Sequence, residues 1–364
     1  MIEADLETRI RGAWQGRITG CLLGKAVEML SLREGFDALQ EYLQRAHALP
    51  LRDYIPLLEG TRVWAGCCRG HITHSEPDDD IHYTTLALIM LEAHGTALTT
   101  EDVARTWLNY LPVGMTFTAE RAAYRILLNR AHEWFPQGRE PGFDISECSD
   151  NPYNDWIGAQ IRADLYGWVT PGNATLAAQL ATQDAQLSHR GDGISGAVFV
   201  AALGAEIPAA ESLVNAVTRA KTHIPQDSGA AEAIELGMSC AGDAAGPATI
   251  RDKYASLSPV HTLNNLALVV WALLTHTDDF GAAIGDVVAA GLDTDCNGAT
   301  VGALWGLQGK PIPEPWLNPW QGKVALSLAG HDTLQLSELV DRTVNLAKTL
   351  SAGSSLADSY QNEA

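Results

Sequence analysis

Residues 11–28 read RGAWQGRITGCLLGKAVE. Glycine recurs every four residues in this stretch, at Gly12, Gly16, Gly20 and Gly24. Positions four apart lie on one face of an α-helix, so these glycines would form a smooth stripe against which a second helix can pack closely. Glu28 follows the stripe near the expected end of the helix. A carboxylate is unfavourable at a helix C-terminus, which suggests a functional reason for Glu28.

Apolar residues recur at three- and four-residue spacing through most of the chain, and alanine, the best helix former, is abundant among them. No convincing run of alternating β-branched residues indicates a sheet. The sequence therefore predicts an all-α fold with one helical domain over residues 1–350. Residues 351–364 are small and polar, which predicts a flexible C-terminal tail.

The composition limits the partners of the protein. The 364 residues carry a net charge of −20, which argues against binding nucleic acid or an anionic membrane through a basic surface. It leaves open a local basic pocket, or a carboxylate cluster that holds cations.

The longest apolar run, residues 266–274, is too short to span a bilayer. The N-terminus carries no secretory signal and the six cysteines form no CxxC pair, so we expect a cytoplasmic protein. The sequence leaves the oligomeric state open.

Residues 76–80 read EPDDD and directly precede a predicted helix. One carboxylate is enough to cap a helix, whereas three adjacent carboxylates repel one another. A hard divalent cation would relieve that repulsion. Capping and cation binding are therefore both open for Asp78, Asp79 and Asp80.

Residues 291–298 read GLDTDCNG and lie between two apolar helical stretches. Asp293 and Asp295 are two positions apart, so both could point the same way from an extended loop. The alternative is an ordinary Asp- and Gly-rich turn with a helix cap. The two acidic segments could also converge on a single two-metal centre. A further polar cluster, Asn264 and Asn265, could cap a helix or line the cleft.

Taken together, these stretches resemble the motifs of the ADP-ribosylglycohydrolase family in order and spacing. Its T-D-D-T motif is similar to residues 78–81, with the two acids at Asp79 and Asp80, and its G-G-D-T-D-T motif is similar to residues 291–296. Its G-A-x-x-R motif is similar to residues 158–162, and its T-H-x-x-x-x-G-x-x-G region to residues 188–196. The N-terminal motif, R-x-x-G-x-x-x-G-x-x-x-G-D-A-x-G with a Glu beyond it, is matched by Arg11, Gly12, Gly16, Gly20, Gly24 and Glu28.

The resemblance implies a compact orthogonal helical bundle with a central cleft and one or two Mg²⁺ or Mn²⁺ ions. It implies hydrolysis of a ribosyl N- or O-glycosidic bond in a small-molecule or ADP-ribosylated substrate. The metal ligands it implies are Asp79, Asp80, Asp293 and Asp295. Asp79, Asp295 or Glu28 would orient or deprotonate the attacking water. Arg162 and His189 would lie near the ligand, where they could contact phosphate or ribose.

The chain departs from the family pattern at several positions. Cys21 and Cys296 replace an Asp and a Thr, and Ile81 replaces another Thr. Asp78 also stands where the family has Thr, so Asp78 and Cys296 are further candidate ligands, although a thiol suits Mg²⁺ poorly. A phosphate-binding Gly-rich turn often precedes the G-A-x-x-R motif, but here residues 151–157 read NPYNDWI. In this loop we expect Tyr153, Asn154 and Trp156 to bind substrate, with the aromatic rings stacking on a base or sugar.

These departures leave three hypotheses open. The first is a metal-dependent hydrolase of ADP-ribosyl glycosides. The second is a hydrolase of a small nucleoside, nucleotide or other N-glycoside. The third is a non-catalytic, ligand-binding member of the family, although retention of four mutually repelling acids argues against it.

Overall fold

The computed structural model describes residues 3–134 and 142–361. Within these ranges the chain forms seventeen α-helices, six short 3₁₀ helices and one two-stranded hairpin, which confirms the all-α prediction. The α-helices are α1 (Glu3–Lys25), α2 (Glu28–Glu34), α3 (Phe36–Arg45), α4 (Asp79–His94), α5 (Thr100–Tyr110), α6 (Thr118–Trp134), α7 (Asp164–Trp168), α8 (Ala174–Ala185), α9 (Gly191–Glu206), α10 (Leu213–Lys221), α11 (Gly229–Ser239), α12 (Gly246–Lys253), α13 (Thr262–Thr275), α14 (Phe280–Ala289), α15 (Thr294–Gly306), α16 (Glu314–Leu317) and α17 (Leu336–Gln361). The hairpin strands are β1 (Lys323–Leu328) and β2 (His331–Gln335).

The glycine stripe of α1 packs against α15, which carries glycines at the same four-residue spacing. The helices are antiparallel, since Gly12 lies opposite Gly306 and Gly24 lies opposite Thr294. A Cβ atom added at Gly12, Gly16, Gly20 or Gly24 would lie only 1.9–2.5 Å from a carbonyl oxygen of α15. Glycine is required along this interface because the two backbones are in direct contact.

Helix α15 lies at the centre of the molecule, and all of its residues are buried. Its neighbour α13, and α9, which packs against α13, are also largely buried, and one continuous hydrophobic core includes residues from Ile10 to Leu350. Since α15 follows the second acidic segment directly, the carboxylates at its start are carried into the interior of the protein.

The sequence analysis missed the hairpin. Val324, Leu326 and Leu328 alternate with more exposed residues along β1, which is the period-two pattern of a strand. Strand β1 also pairs with the loop before α4, because Ser75 N donates to Lys323 O at 2.8 Å and Ala325 N donates to Ser75 O at 3.1 Å. The hairpin therefore holds the chain next to the first acidic segment.

The last helix, α17, runs to Gln361 and so includes residues 351–361 of the segment predicted as a flexible tail. Residues 362–364 lie outside the described part of the chain, and the domain boundary at residue 350 stays a prediction. Among the described residues, none of the helices combines the length and the apolar character needed to cross a membrane.

Candidate active site

The first acidic segment begins helix α4. Asp78 is the N-cap, and its Oδ1 accepts a hydrogen bond from Asp80 N at 2.9 Å. Asp79 and Asp80 form the first turn, where the helix dipole favours negative charge. Asp78 and Asp80 are buried and Asp79 is half-buried. Asp78 alone therefore caps the helix, and capping does not account for Asp79 and Asp80 beside it.

The second acidic segment begins helix α15. Asp293 is at the N-cap position, but its side chain makes no capping hydrogen bond. Asp295 and Cys296 follow in the first turn, and all three side chains are buried. Asp295 Oδ1 has no hydrogen-bond partner among the described residues. The carboxylates at this helix start are thus not used for capping.

The structure brings the two acidic segments together. Burial raises the pKa of Asp79 well above its usual value, and the negative charges of Asp78 and Asp295 raise it further. The pKa of Asp295 is raised to about 6, first by burial and then by Asp78. Two groups of side chains each place their ligand atoms within 4.8 Å of one another: Cys21 with Asp78 and Asp80, and Asp293 with Asp295 and Cys296.

Glu28 joins this cluster, but its position on a helix differs from the prediction. Helix α1 ends at Lys25, and Glu28 is the first residue of α2. The helix dipole therefore stabilises its charge rather than opposing it. The side chain is half-buried, and its pKa is raised to about 9, first by the charge of Asp295 and then by burial.

Arg17 is a residue of the site that the sequence analysis missed. It lies on α1, fully buried, and forms ion pairs with Asp80 Oδ1 at 3.0 Å and Asp164 Oδ2 at 2.8 Å. It also donates to the backbone carbonyl oxygens of Asp80 and Ile161. Arg17 thus neutralises Asp80 from the interior side and ties the start of α4 to α1.

Lys25 is a second cation that the sequence analysis missed. Its Nζ lies 2.5 Å from Asp78 Oδ2 and 5.0 Å from the centroid of the Trp64 ring. The electrostatic influence of Asp295 and Cys21 also reaches its ammonium. Lys25 therefore places a positive charge between the two acidic segments.

Arg162, which the resemblance suggested as a ligand contact, is enclosed by the protein. It forms ion pairs with Glu120 Oε1 at 2.7 Å and Asp184 Oδ1 at 2.9 Å, and it donates to Gly158 O, Asp184 O and Ser188 Oγ. These contacts use all five donors of the guanidinium, and the side chain is 1% exposed. Arg162 is held by protein partners in this structure, and its contact with a ligand stays a prediction.

His189 is enclosed in the same way. Its Nδ1 lies 2.8 Å from Ser188 Oγ, and its side chain has no exposed surface. Burial, assisted by the nearby Arg162 charge, lowers the pKa of His189 well below its usual value. The ring is therefore neutral and supplies no positive charge, and the contact of His189 with phosphate or ribose stays a prediction.

The loop that carries the candidate substrate-binding aromatics is half-buried. The rings of Tyr153 and Trp156 pack edge to face with centroids 4.7 Å apart. Asn154 Nδ2 donates to Ser149 O at 3.3 Å. Trp156 O accepts a hydrogen bond from Thr262 Oγ1, at the start of α13. The three residues retain accessible surface, and their role in substrate binding stays a prediction.

Asn265 connects α13 to the second acidic segment. Its Oδ1 accepts hydrogen bonds from Asp293 N at 3.3 Å and Asn297 Nδ2 at 2.7 Å, while its Nδ2 donates to Pro259 O and His261 O. The helix cap is supplied by His261 instead. Asn265 is therefore a positioning residue for the loop that carries Asp293.

The comparisons with known proteins agree with this fold. A solved structure described as an "ADP-ribosylglycohydrolase-related protein complex" has a similar fold, with a TM-score of 0.60 and 18% sequence identity over 95% of this chain and 99% of that chain. No curated protein matches this sequence significantly. The model of the ADP-ribosylglycohydrolase family matches residues 2–352.

Because the family model matches nearly the whole chain, the protein is a hydrolase of the glycoside-cleaving class. The chain belongs to the ADP-ribosylglycohydrolase family, which confirms the resemblance drawn from its motifs.

Proposed function

We propose that this protein is a divalent-cation-dependent hydrolase that cleaves the ribosyl N- or O-glycosidic bond of an ADP-ribosyl substrate. The observation that carries the proposal is the meeting of the carboxylates from the starts of α4 and α15. Asp80 Oδ2 and Asp295 Oδ1 are buried there and have no hydrogen-bond partner among the described residues. A buried carboxylate oxygen without a partner is costly, and a bound cation would remove that cost.

The side chains present fit Mg²⁺ or Mn²⁺ through their oxygen atoms. Asp79, Asp80, Asp293 and Asp295 provide the hard oxygen ligands that these ions prefer. Burial raises the pKa of the Cys296 thiol well above its usual value, with Asp293 adding to the effect. Because a soft sulfur donor suits Mg²⁺ poorly, Cys296 packs beside the ion in this proposal and is not a ligand.

A bound cation would act as a Lewis acid on the substrate and lower the pKa of an attacking water. The chain's own residues would position and deprotonate that water. Asp79 and Glu28 are the half-buried carboxylates of the site, so water reaches them and either could accept a proton from it. Asp295 is the third candidate for this role.

The test is release of free ADP-ribose from N- and O-linked ADP-ribosyl peptides, measured by chromatography with Mg²⁺ or Mn²⁺ and after chelation. We expect Asp79→Asn to lower kcat by about 100-fold or more, the range for loss of a general base. Asp279→Asn is the matched control, because Asp279 also begins a helix, α14, but caps it through a hydrogen bond to Ala282 N. Equal activity with and without divalent ions would contradict the proposal.

A second candidate is a small N-glycoside substrate without a diphosphate. It is favoured by the burial of Arg162 and His189, since neither can offer a charge to a phosphate. Asp155, in the aromatic loop, adds a carboxylate there, 3.2 Å from His261. A thermal-shift comparison of nucleosides with ADP-ribose separates the candidates: stabilisation by nucleosides alone supports the second.

A further inference from the structure

The site contains two separate groups of potential ligand atoms. One consists of Cys21, Asp78 and Asp80, and the other of Asp293, Asp295 and Cys296. Each group is compact enough for its atoms to surround one ion, because the atoms of a group lie within 4.8 Å of one another. The two groups differ in the cationic side chains that already contact them.

The first group is already paired with cationic side chains of the protein. Asp78 Oδ2 contacts Lys25 Nζ at 2.5 Å, and Asp78 Oδ1 accepts from Asp80 N. Asp80 Oδ1 contacts Arg17 Nη2 at 3.0 Å, and Arg17 also pairs with Asp164. Lys25 therefore offsets the charge of Asp78, while Arg17 divides its charge between Asp80 and Asp164.

Lys25 is held in this position from several sides. It is the last residue of α1, and the preceding Gly24 is in backbone contact with Thr294 of α15. The Trp64 ring covers the ammonium at 5.0 Å, a distance suited to a cation–π contact. The Lys25 side chain is only 11% exposed. Lys25 is therefore a fixed and largely buried positive charge, unlike a lysine on the protein surface.

The second group has no cationic side chain in direct contact. No ion pair between Lys or Arg and Asp293 or Asp295 is found in the described ranges of the chain, and the charge of Lys25 acts on Asp295 only through space. Asp295 Oδ1 is buried and unpartnered there, as is Asp80 Oδ2 of the first group. Both oxygens are independent signs of a bound cation, but Asp80 has a cationic partner at its other oxygen and Asp295 has none.

We propose that the Lys25 ammonium takes the place of one divalent cation, so that the protein holds a single divalent ion with the carboxylates of α15. This inference rests on the proposed cation dependence. An ammonium supplies one charge and three N–H donors but no coordination positions for water. Lewis-acid chemistry is thereby confined to the ion at Asp293 and Asp295, and Lys25 acts as a positioning residue for Asp78.

The test is the number of Mn²⁺ ions bound per chain, measured by equilibrium dialysis with elemental analysis and by electron paramagnetic resonance of free Mn²⁺. We expect about one ion for the wild-type protein and about two for Lys25→Met, which keeps side-chain length but removes the charge. Lys25→Gln repeats the test should the methionine variant not fold. Lys25→Arg keeps the charge and should bind about one ion.

Lys221→Met is the matched control, because Lys221 also contacts a carboxylate, Glu235, at 2.5 Å but lies on α10 outside the site. Its ion count should equal that of the wild type. Two ions in the wild type, or an unchanged count in both neutral Lys25 variants, would overturn the inference while leaving the proposed function intact. Absence of Mn²⁺ from all variants would overturn both the inference and the cation dependence. An ion count that rises as expected, without any glycohydrolase activity, would overturn only the proposed function.

Discussion

Replacing Gly24 with alanine should separate α1 from the first turn of α15 and weaken cation binding. A Cβ atom at residue 24 would lie 2.1 Å from Thr294 O and 2.4 Å from Asp295 N. Cβ atoms essentially never come closer than 3.0 Å to a neighbour, so the contact with Thr294 O must open by 3.0 − 2.1 = 0.9 Å. The atoms that must move belong to the turn that carries Asp295.

This opening is large compared with what a binding site tolerates. Ligands must be held within about 0.5 Å of their productive positions, so a 0.9 Å opening should raise the Kd for Mn²⁺ by about tenfold or more, or about 1.4 kcal/mol. Overpacking of this kind costs about 1–3 kcal/mol in the free energy of unfolding. Isothermal titration gives the Kd, and denaturant unfolding gives the stability.

Gly12→Ala is the matched control at the other end of the same interface. Its Cβ would lie 2.5 Å from Gly306 O, which requires an opening of 3.0 − 2.5 = 0.5 Å. Gly12 is twelve residues from Gly24, about 18 Å along the helix. We expect it to cost about 1 kcal/mol of stability and to leave the Kd for Mn²⁺ unchanged. Equal losses of Mn²⁺ affinity in the two variants would refute the reasoning, as would an unchanged Kd in Gly24→Ala.

Three further predictions concern charge, pH and substrate. Arg17→Met should lower the free energy of unfolding by about 3–5 kcal/mol in urea, because it leaves Asp80 and Asp164 as buried carboxylates without their cation; a loss below about 1 kcal/mol would contradict this. Burial lowers the pKa of His82 to about 4 from its usual 6.5, so its contribution to stability is fully present above pH 6.5 and is lost as the pH falls towards 4. Unfolding measured between these pH values should show a dependence of up to about 3 kcal/mol that His82→Asn removes, and an unchanged pH profile in the variant would disprove the assignment. Trp156→Ala should raise KM severalfold with kcat unchanged, because the ring is expected to stack on substrate; an unchanged KM in steady-state kinetics would contradict this.

Much of the helical framework could be predicted because it depends on local spacing. The glycines at positions 12, 16, 20 and 24 indicated close helix packing before its partner was known. The partner, α15, has glycines at residues 298, 302 and 306 in the same spacing. Spacing identifies a smooth helix face but does not say which of two such faces meet, because that pairing joins segments almost 300 residues apart.

The cations of the site could not be predicted because their role depends on distant partners. Arg17 lies within the glycine stripe and Lys25 directly follows it, and their carboxylate partners Asp80 and Asp78 are 63 and 53 residues away. The surroundings of Arg162 and His189 also depend on distant partners. Their motifs resemble those of the family, but the sequence does not reveal that burial and ion pairs enclose both side chains.

Helix boundaries account for the remaining errors. The chain turns at residues 26–27, so Glu28 begins a helix where the sequence analysis placed it near the end of one. The hairpin was missed because β1 has only six residues, and its alternation is too short to stand out among helical patterns.

The hairpin also determines how the first acidic segment opens. Strand β1 binds the backbone of Ser75 on one side of that segment, and Ser327 N donates to His82 Nε2 at 2.8 Å on the other. Asp78 and its neighbours are therefore clamped at both ends by a single strand. Local unfolding exposes such a segment only when its clamp is released, so we expect the start of α4 and the hairpin to exchange their amide hydrogens as one cooperative unit.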